Sequence, residues 1–177
     1  MAKLAEKSAF DTDQLPTRIG TVHMREGTFD QLAWVHLGRA SATEFKDTVG
    51  VKFPAPNRMT GRAGARAIWF APNQALWTGP LPAQTGAFTI VEQKDAWAAL
   101  TIEGQDARDV LAMLTPLDMR PTRFKTGHTA RTLLGHMGCS ICAVGADKFD
   151  LLVFRSMAGT ALHEVTRAMK QVAALRR

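Results

Sequence analysis

The stretch His128-Thr-Ala-Arg-Thr-Leu-Leu-Gly-His-Met-Gly-Cys-Ser-Ile-Cys-Ala-Val-Gly-Ala-Asp-Lys-Phe-Asp-Leu-Leu-Val-Phe154 predicts three consecutive strands. Residues 128–134 and 137–144 have strand composition and are separated by a glycine-containing break. Gly145-Ala-Asp-Lys148 predicts a hairpin turn, and residues 149–154 predict the returning strand. We therefore expect an antiparallel sheet to organise this part of the chain.

Helical patterns flank these strands on both sides. Before them, residues 97–102 alternate as a strand and are followed by a short helix that Pro116 ends. The apolar face of that helix consists of Ala107, Val110, Leu111 and Leu114. After them comes a final helix whose apolar face consists of Met157, Ala161, Leu162, Val165, Met169 and Val172. The second half is thus predicted to run strand, helix, three strands, helix.

The first half shows the same order. Residues 31–37 predict a strand, and Ser41-Ala-Thr-Glu44 predicts a capping box at the start of a helix that Gly50 ends. Residues 65–70 and 75–78 predict two further strands around a Pro-Asn turn. The next segment, residues 79–90, is too rich in proline and glycine to supply a closing helix.

This parallel predicts an internally duplicated fold. The class is α+β, with two β-α-β halves, antiparallel or mixed sheets and helices packed on them. We expect halves of about residues 31–80 and 90–175 within one domain of residues 31–177. The polar, weakly patterned residues 1–30 predict an N-terminal arm outside the core.

Composition restricts the function. The 177 residues are 46% hydrophobic and 21% charged, which is typical of a globular protein. The net charge is +6, but the densest basic cluster, Arg58, Arg62 and Arg66, lacks interleaved stacking aromatics. We therefore predict no nucleic-acid partner. There is neither a membrane-length apolar run nor an N-terminal signal pattern, which predicts a cytoplasmic protein.

Cys139-Ser-Ile-Cys142 is a CxxC pair, which is a candidate metal-binding or redox motif. Because the two cysteines are three residues apart on a predicted strand, their side chains should point to opposite faces. No helix begins after them, as a thioredoxin-type pair requires. His128 and His136 leave a zinc site open, but we favour two small buried thiols.

The other catalytic-looking patterns have simpler interpretations. His163-Glu-Val-Thr-Arg167 lacks the second histidine of a zincin and predicts a helix surface with a Glu164–Arg167 pair. The glycine-containing segments 61–64 and 104–107 fit neither a phosphate loop nor a dinucleotide fingerprint. Ser156 predicts an N-cap for the final helix.

Arg155 follows an apolar strand directly and is well placed to hold a carboxylate. We favour a salt bridge within the chain or at a subunit interface over ligand binding. Arg131 and His136 are near it in the predicted hairpin region. These three residues are the candidate interface or anion contacts, and we assign no catalytic, cofactor-binding or metal-binding residue to this chain.

The second half resembles the gamma subunit of heterotetrameric sarcosine oxidase. The matching stretches are Asp95-Ala-Trp97, Glu103-Gly-Gln-Asp-Ala107, Leu114-Thr-Pro-Leu-Asp118, Arg131-Thr-Leu-Leu-Gly-His-Met137 and Phe154-Arg-Ser-Met-Ala158. The first half is similar more loosely, through residues 50–57 and 68–77, and Leu4–Phe10 resembles that family's N-terminal arm.

The resemblance implies the folate-binding-type fold of the glycine-cleavage T-protein relatives. It also implies a complex with larger alpha and beta subunits and a small delta subunit. In such oxidases FAD, FMN, NAD and tetrahydrofolate bind the larger subunits and zinc binds the delta subunit. The complex converts sarcosine to glycine, with hydrogen peroxide and formaldehyde or methylene-tetrahydrofolate.

On this resemblance the chain is expected to be a non-catalytic subunit. T-protein relatives have acidic residues where this chain has Met137-Gly138, so an acid/base group for folate chemistry is missing. The equivalent subunit of an N-methylglutamate dehydrogenase and a stand-alone folate-binding module remain alternatives.

Overall fold

Two antiparallel sheets and three helices form the fold in a computed structural model that describes residues 7–10, 14–83 and 87–176. The helices are α1 (Ala42–Val49), α2 (Ala107–Ala112) and α3 (Ala158–Leu175). The strands are β1 (Thr17–Ile19), β2 (Val22–Gly27), β3 (Ala33–His36), β4 (Met59–Arg62), β5 (Ala65–Ala71), β6 (Gln74–Trp77), β7 (Thr89–Glu92), β8 (Trp97–Glu103), β9 (Thr129–Leu134), β10 (Met137–Gly145) and β11 (Lys148–Phe154).

The larger sheet has six strands in the order β1-β2-β8-β11-β10-β9. Alternate residues of its central strands, such as Leu100, Ile141 and Leu151, point to one face and are buried there. The helices α2 and α3 cover that face, and α3 contributes Leu162 and Val165 to the same core. This is the largest apolar core of the described chain.

The smaller sheet has five strands in the order β4-β5-β6-β3-β7. Its outer face packs on α1, whose fully buried Phe45 contacts Trp77 edge-on, with ring centroids 6.0 Å apart. The predicted capping box is confirmed, because the Ser41 hydroxyl accepts from the Glu44 amide and the Glu44 carboxylate accepts from the Ser41 amide. Gly50 ends α1 in the left-handed region, with φ 77°.

The predicted α+β class and internal duplication are confirmed by the strand order. The spatial order β4-β5-β6-β3 in one sheet repeats the order β9-β10-β11-β8 in the other. In each unit a helix follows the strand that comes first in the sequence: α1 follows β3, and α2 follows β8. The units differ in the strand added beside the first one. In the smaller sheet this added strand is β7, which follows the unit in the sequence. In the larger sheet it is β2, which precedes the unit in the sequence.

The N-terminal segment differs from the predicted arm. Residues 17–27 form β1 and β2, and β2 lies inside the larger sheet between β1 and β8. Val22 and Met24 are buried in the core beneath α3, whereas the intervening His23 is only partly buried. This alternation is a strand pattern only two apolar residues long, so the polar composition around it concealed it. Of the arm's first residues, 1–6 lie outside the described part of the chain.

The two sheets face each other across a third apolar core, in addition to the outer core of each sheet. The residues that meet there point away from the outer cores. They are Leu32, directly before β3, and the strand residues Ile68, Leu76, Ala99, Cys142 and Leu152. Backbone hydrogen bonds join the sheets at one edge, from the Met59 amide to the Gly127 carbonyl at 3.0 Å and from the Thr129 amide to the Asn57 carbonyl at 3.1 Å. The molecule is therefore layered helix, sheet, sheet, helix.

The segment expected to lack a closing helix does so in its described parts, residues 79–83 and 87–90. Strand β7 begins at Thr89 instead and pairs with β3. Phe88 is buried beneath α1 with the outer core of the smaller sheet. The first unit therefore closes with a strand where the second closes with α3.

Candidate functional site

A row of residues crosses the larger sheet at the end where the smaller sheet stops covering it. Strand pairing aligns Leu133 with Gly138 and Phe154 with Trp97, and the Cys139–Val153 pair places Gly138 beside Phe154. All four residues therefore lie on the face that the two sheets share. We call Leu133, Gly138, Phe154 and Trp97 the apolar row.

The apolar row is open to solvent. Leu133 is 49% exposed and Phe154 is 51% exposed, although both continue the face of a buried core. A pocket of about 410 Å³ lies here, bounded by this row and Arg131. A Cβ built on Gly138 would meet no atom within 4 Å, so the glycine leaves a notch between Leu133 and Phe154.

Aromatic rings connect the row to the core between the sheets. Trp97 stacks on Phe154 with ring centroids 4.7 Å apart, and Phe70 of the smaller sheet meets Trp97 edge-on at 5.9 Å. The Arg131 guanidinium lies over the Phe70 ring, 4.0 Å from its centroid. Arg131 thus forms the polar side of the row and is held there by the opposite sheet.

Arg131 has no charge partner among the residues that the structure describes. No carboxylate among the described residues pairs with its guanidinium, and no acidic residue lines the adjoining pocket. A cation held by an aromatic ring alone keeps most of its capacity to bind an anion. Of the three residues singled out in the sequence, Arg131 therefore has the geometry of an anion contact.

Arg155 lies in a 3₁₀ turn, Arg155–Met157, between β11 and α3. Its guanidinium donates to the backbone carbonyl of Lys7, and no carboxylate among the described residues pairs with it. The N-terminal segment is held there, because Phe10 is buried and the Ser8 hydroxyl donates to the Glu26 carboxylate at 2.8 Å. Leu4–Glu6 of the segment that resembles the family's arm lie outside the described residues.

His136 lies elsewhere on the surface. It is exposed in the turn between β9 and β10. The pKa of the Glu164 carboxyl is lowered chiefly by its hydrogen bond from Arg167, with smaller contributions from His163 and His136, so His136 lies near α3. The structure thus does not gather Arg131, His136 and Arg155 into one cluster. Whether each is an interface contact stays a prediction.

Two expectations for the final helix have different outcomes. His163 is exposed, and Arg167 donates to Glu164 at 2.6 Å, as the helix-surface interpretation predicts. The prediction that Ser156 is the N-cap of the final helix is wrong. Met157 is the N-cap of α3 and no side chain caps it, because the 3₁₀ turn runs directly into the helix and the Ala158 amide bonds to the Arg155 carbonyl.

The two cysteines lie on opposite faces of β10, as their spacing predicts. Cys139 belongs to the core under α3 and Cys142 to the core between the sheets. Burial raises the pKa of the Cys139 thiol well above its usual value and raises that of Cys142 to about 12. Both are therefore protonated at neutral pH. Within the described part of the chain, no three metal-ligating side chains cluster.

The basic and glycine-containing segments have structural explanations. Arg66 lies 3.5 Å from Asp150, which removes one member from the basic cluster around Arg58 and Arg62. A Cβ on Gly61 would collide with the Ala65 carbonyl, and one on Gly104 with the Thr21 carbonyl. These glycines allow close backbone packing at positive φ, which accounts for them without a phosphate ligand.

Arg108, which no sequence pattern singled out, makes the largest number of hydrogen bonds of any described cation in the second half. It is 9% exposed, pairs with Asp147 at 3.1 Å and donates to the carbonyls of Met119 at 2.7 Å and Phe124 at 3.0 Å. Its guanidinium also lies over the Phe149 ring. The available signal was its place beside the apolar face of α2. Its contacts are structural, since they hold the loop between α2 and β9.

No helix among the described residues is long and apolar enough to cross a membrane.

Two comparisons with known proteins found a similarity, one to a family and one to a solved structure. The model of the sarcosine oxidase gamma subunit family matches residues 82–164, slightly under half of the chain. A chain of the heterotetrameric sarcosine oxidase from Corynebacterium sp. U-96, solved in complex with pyrrole 2-carboxylate, is similar in structure with a TM-score of 0.79 and 19% identity. The match covers 91% of this chain and 90% of that chain. No curated protein matches this chain. Residues 82–164 therefore match the sarcosine oxidase gamma subunit family, and the chain as a whole has the fold of a heterotetrameric sarcosine oxidase subunit.

Proposed function

We propose that this chain is the gamma subunit of a heterotetrameric, flavin-dependent sarcosine oxidase. The observation that carries the proposal is the family match over residues 82–164, the region that contains the apolar row. The fold similarity over nearly the full length of both chains supports it independently. Neither comparison names an N-methylglutamate dehydrogenase or a stand-alone folate-binding protein, so we do not favour those alternatives.

In this complex the chain would act through packing rather than chemistry. Its two thiols are protonated and buried. The space beside the glycines that were considered for phosphate binding is filled by neighbouring backbone. Met137, at a position where T-protein relatives have acidic residues, is 7% exposed and packs beneath α3. We assign FAD, FMN, NAD and tetrahydrofolate to the alpha and beta subunits. The cytoplasmic location remains a prediction from the sequence.

The reaction assigned to the whole complex is oxidation of the N-methyl group of sarcosine. The products are glycine, hydrogen peroxide and either formaldehyde or 5,10-methylene-tetrahydrofolate. Substrate selection would belong to the flavin-carrying subunit. The role of this chain would be to stabilise the larger subunits, which requires an interaction surface rather than a catalytic cluster.

Native purification from the natural host tests the proposal. An affinity-tagged copy of this chain should bring down larger subunits with flavin absorbance, and the preparation should form hydrogen peroxide when sarcosine is added. The tagged chain purified alone should show neither property. Sarcosine oxidation by the isolated chain, or purification of the wild-type chain without any flavoprotein, would overturn the proposed function.

A further inference from the structure

We propose that the apolar row is the docking site for a segment of a larger subunit that carries an apolar side chain followed by a carboxylate. The apolar side chain would enter the notch at Gly138, and the carboxylate would pair with Arg131. This inference rests on the proposed function, since it names the surface through which the chain would join the oxidase.

The first argument is the exposure of apolar side chains at a sheet edge. Strand β9 is the last strand of the larger sheet, and Leu133 projects from it with 49% of its surface exposed. Edge strands of monomers usually carry charges or are covered, because exposed apolar edges pair with other chains. Phe154, two strands away on the same face, is 51% exposed. A partner that covered both would remove this liability.

The second argument is the empty space at Gly138. Gly138 has an extended backbone within β10 and does not adopt a positive φ. A Cβ at this position would touch nothing within 4 Å. The chain's own packing therefore does not require glycine at this position. A glycine inside a strand weakens the strand, and where no bulge interrupts the pairing, as at Gly138, it often marks a site where a ligand or another backbone approaches closely. The open space at Gly138 lies between Leu133 and Phe154, its neighbours on the same face of the sheet.

The third argument is charge complementarity. Arg131 borders the pocket of about 410 Å³ and has no carboxylate partner among the described residues. Its guanidinium is oriented by Phe70, so little side-chain freedom is lost when a carboxylate binds it. Arginine and aromatic residues are both enriched in protein interfaces, and arginines are common among the residues that dominate binding.

The same charge argues against other occupants. Two copies of the chain that met through this row would place two Arg131 guanidinium groups in one interface with no acidic residue from the pocket lining, and each copy carries a net charge of +6. A small ligand is usually 70–90% buried by its pocket, whereas the side chains on either side of the notch are themselves about half exposed. An extended segment of a larger protein fits a shallow, linear row.

The decisive experiment compares variants of the tagged chain in native co-purification. Leu133→Asp places a carboxylate within the apolar contact, and Gly138→Leu fills the notch. Each should lower the amount of co-purified flavoprotein at least about tenfold, a factor expected for an interface centre. Leu175→Asp is the matched control, because Leu175 is 82% exposed at the end of α3 and should retain wild-type yield.

Arg131→Glu tests the charge separately. Reversing this charge should reduce co-purification to a similar degree, whereas the same change at the exposed Arg39, before α1 on the other sheet, should not. Circular dichroism and thermal melting of each isolated variant show whether it is folded. Gly138→Leu should melt at or above the wild-type temperature, so its loss of binding cannot be attributed to unfolding.

The outcomes separate the two proposals. If the wild-type chain brings down no flavoprotein, the proposed function fails. If the wild type does so and folded Gly138→Leu and Leu133→Asp chains do so equally well, the docking site is wrong while the proposed function stands. Formation of a homodimer by the wild-type chain that Leu133→Asp abolishes would replace the larger subunit with a second copy as the occupant.

Discussion

At the residue scale, Cys139 and Cys142 show how position on a strand determines chemistry. Their CxxC spacing is that of redox and zinc motifs, but on β10 it sends one thiol beneath α3 and the other between the sheets. The Cys142 sulfur lies 3.3 Å from the Thr129 hydroxyl, and burial is the main cause of the raised pKa of both thiols. Each thiol therefore packs as a small apolar group.

Both thiols should resist alkylation in the folded chain. At pH 8 an ordinary thiol, with a pKa of about 8.5, is partly ionised, whereas these two remain protonated and inaccessible. Iodoacetamide labelling followed by mass spectrometry should find no adduct on the native chain and two on the urea-unfolded chain. Because the pKa values are higher in the folded state, unfolding should also become easier as the pH rises above about 8.5. Rapid labelling of either native thiol would contradict the burial.

Arg108 illustrates what could not be predicted at this scale. Its sequence neighbours suggest an ordinary charge beside an apolar helix face, and its partners come from loops 11 to 39 residues away. Only the assembled fold brings the carbonyls of Met119 and Phe124 to one guanidinium. Long-range contacts of this kind leave no periodic signal in the sequence.

At the scale of elements, helix boundaries with a local cause were predicted well. The ends of α1 follow from residues within the segment itself, since Ser41 and Glu44 exchange hydrogen bonds and Gly50 adopts the left-handed conformation. The start of α3 was not predicted well. The preceding turn supplies a backbone partner, because the Ala158 amide bonds to the Arg155 carbonyl, and Ser156 makes no capping hydrogen bond. A serine before a helix is therefore informative only where the chain turns extended at that residue, as Ser41 does.

A serine-to-alanine pair checks this distinction. Ser41→Ala should lower the free energy of unfolding by about 1 kcal/mol, the typical cost of losing an N-cap. Ser156→Ala is the matched control and should leave the free energy unchanged. Urea unfolding curves of the two variants and the wild type give both values. A comparable loss in Ser156→Ala would mean that Ser156 does cap α3.

At the scale of the whole molecule, the core between the sheets should make the two units unfold together. Ile68 and Leu76 of the smaller sheet are buried against Ala99 and Leu152 of the larger one. Neither sheet keeps that face dry without the other. A chain with separate halves would instead have two independent cores, and the duplicated sequence alone is compatible with either arrangement.

Two optical probes report the two units separately. Trp34, Trp69 and Trp77 lie in the smaller sheet, and the chain contains no tyrosine, so fluorescence mainly follows that sheet. The ellipticity at 222 nm mainly follows α3, which packs on the larger sheet. We expect the two thermal transitions to coincide, as two-state unfolding requires.

Ile68→Ala sharpens this test. It should lower the free energy of unfolding by about 2–4 kcal/mol, as for other buried large-to-small changes, and should shift both probes equally. A shift of the fluorescence transition alone would show that the sheets unfold independently. Val91→Ala, at a half-exposed position on β7, serves as the control and should shift neither.

Local sequence patterns were sufficient to predict the alternating strands of both units, the apolar faces of α2 and α3, and the cap of α1. It also contained the family resemblance in residues 82–164. Three features follow only from the way distant segments pack together: β1 and β2 join the larger sheet, Arg108 is buried, and the apolar row is exposed where the smaller sheet ends. These two groups of features differ in the sequence separation of the interactions that cause them. Periodicity and capping act between residues a few positions apart, whereas a shared core and an uncovered row depend on which distant strands become neighbours.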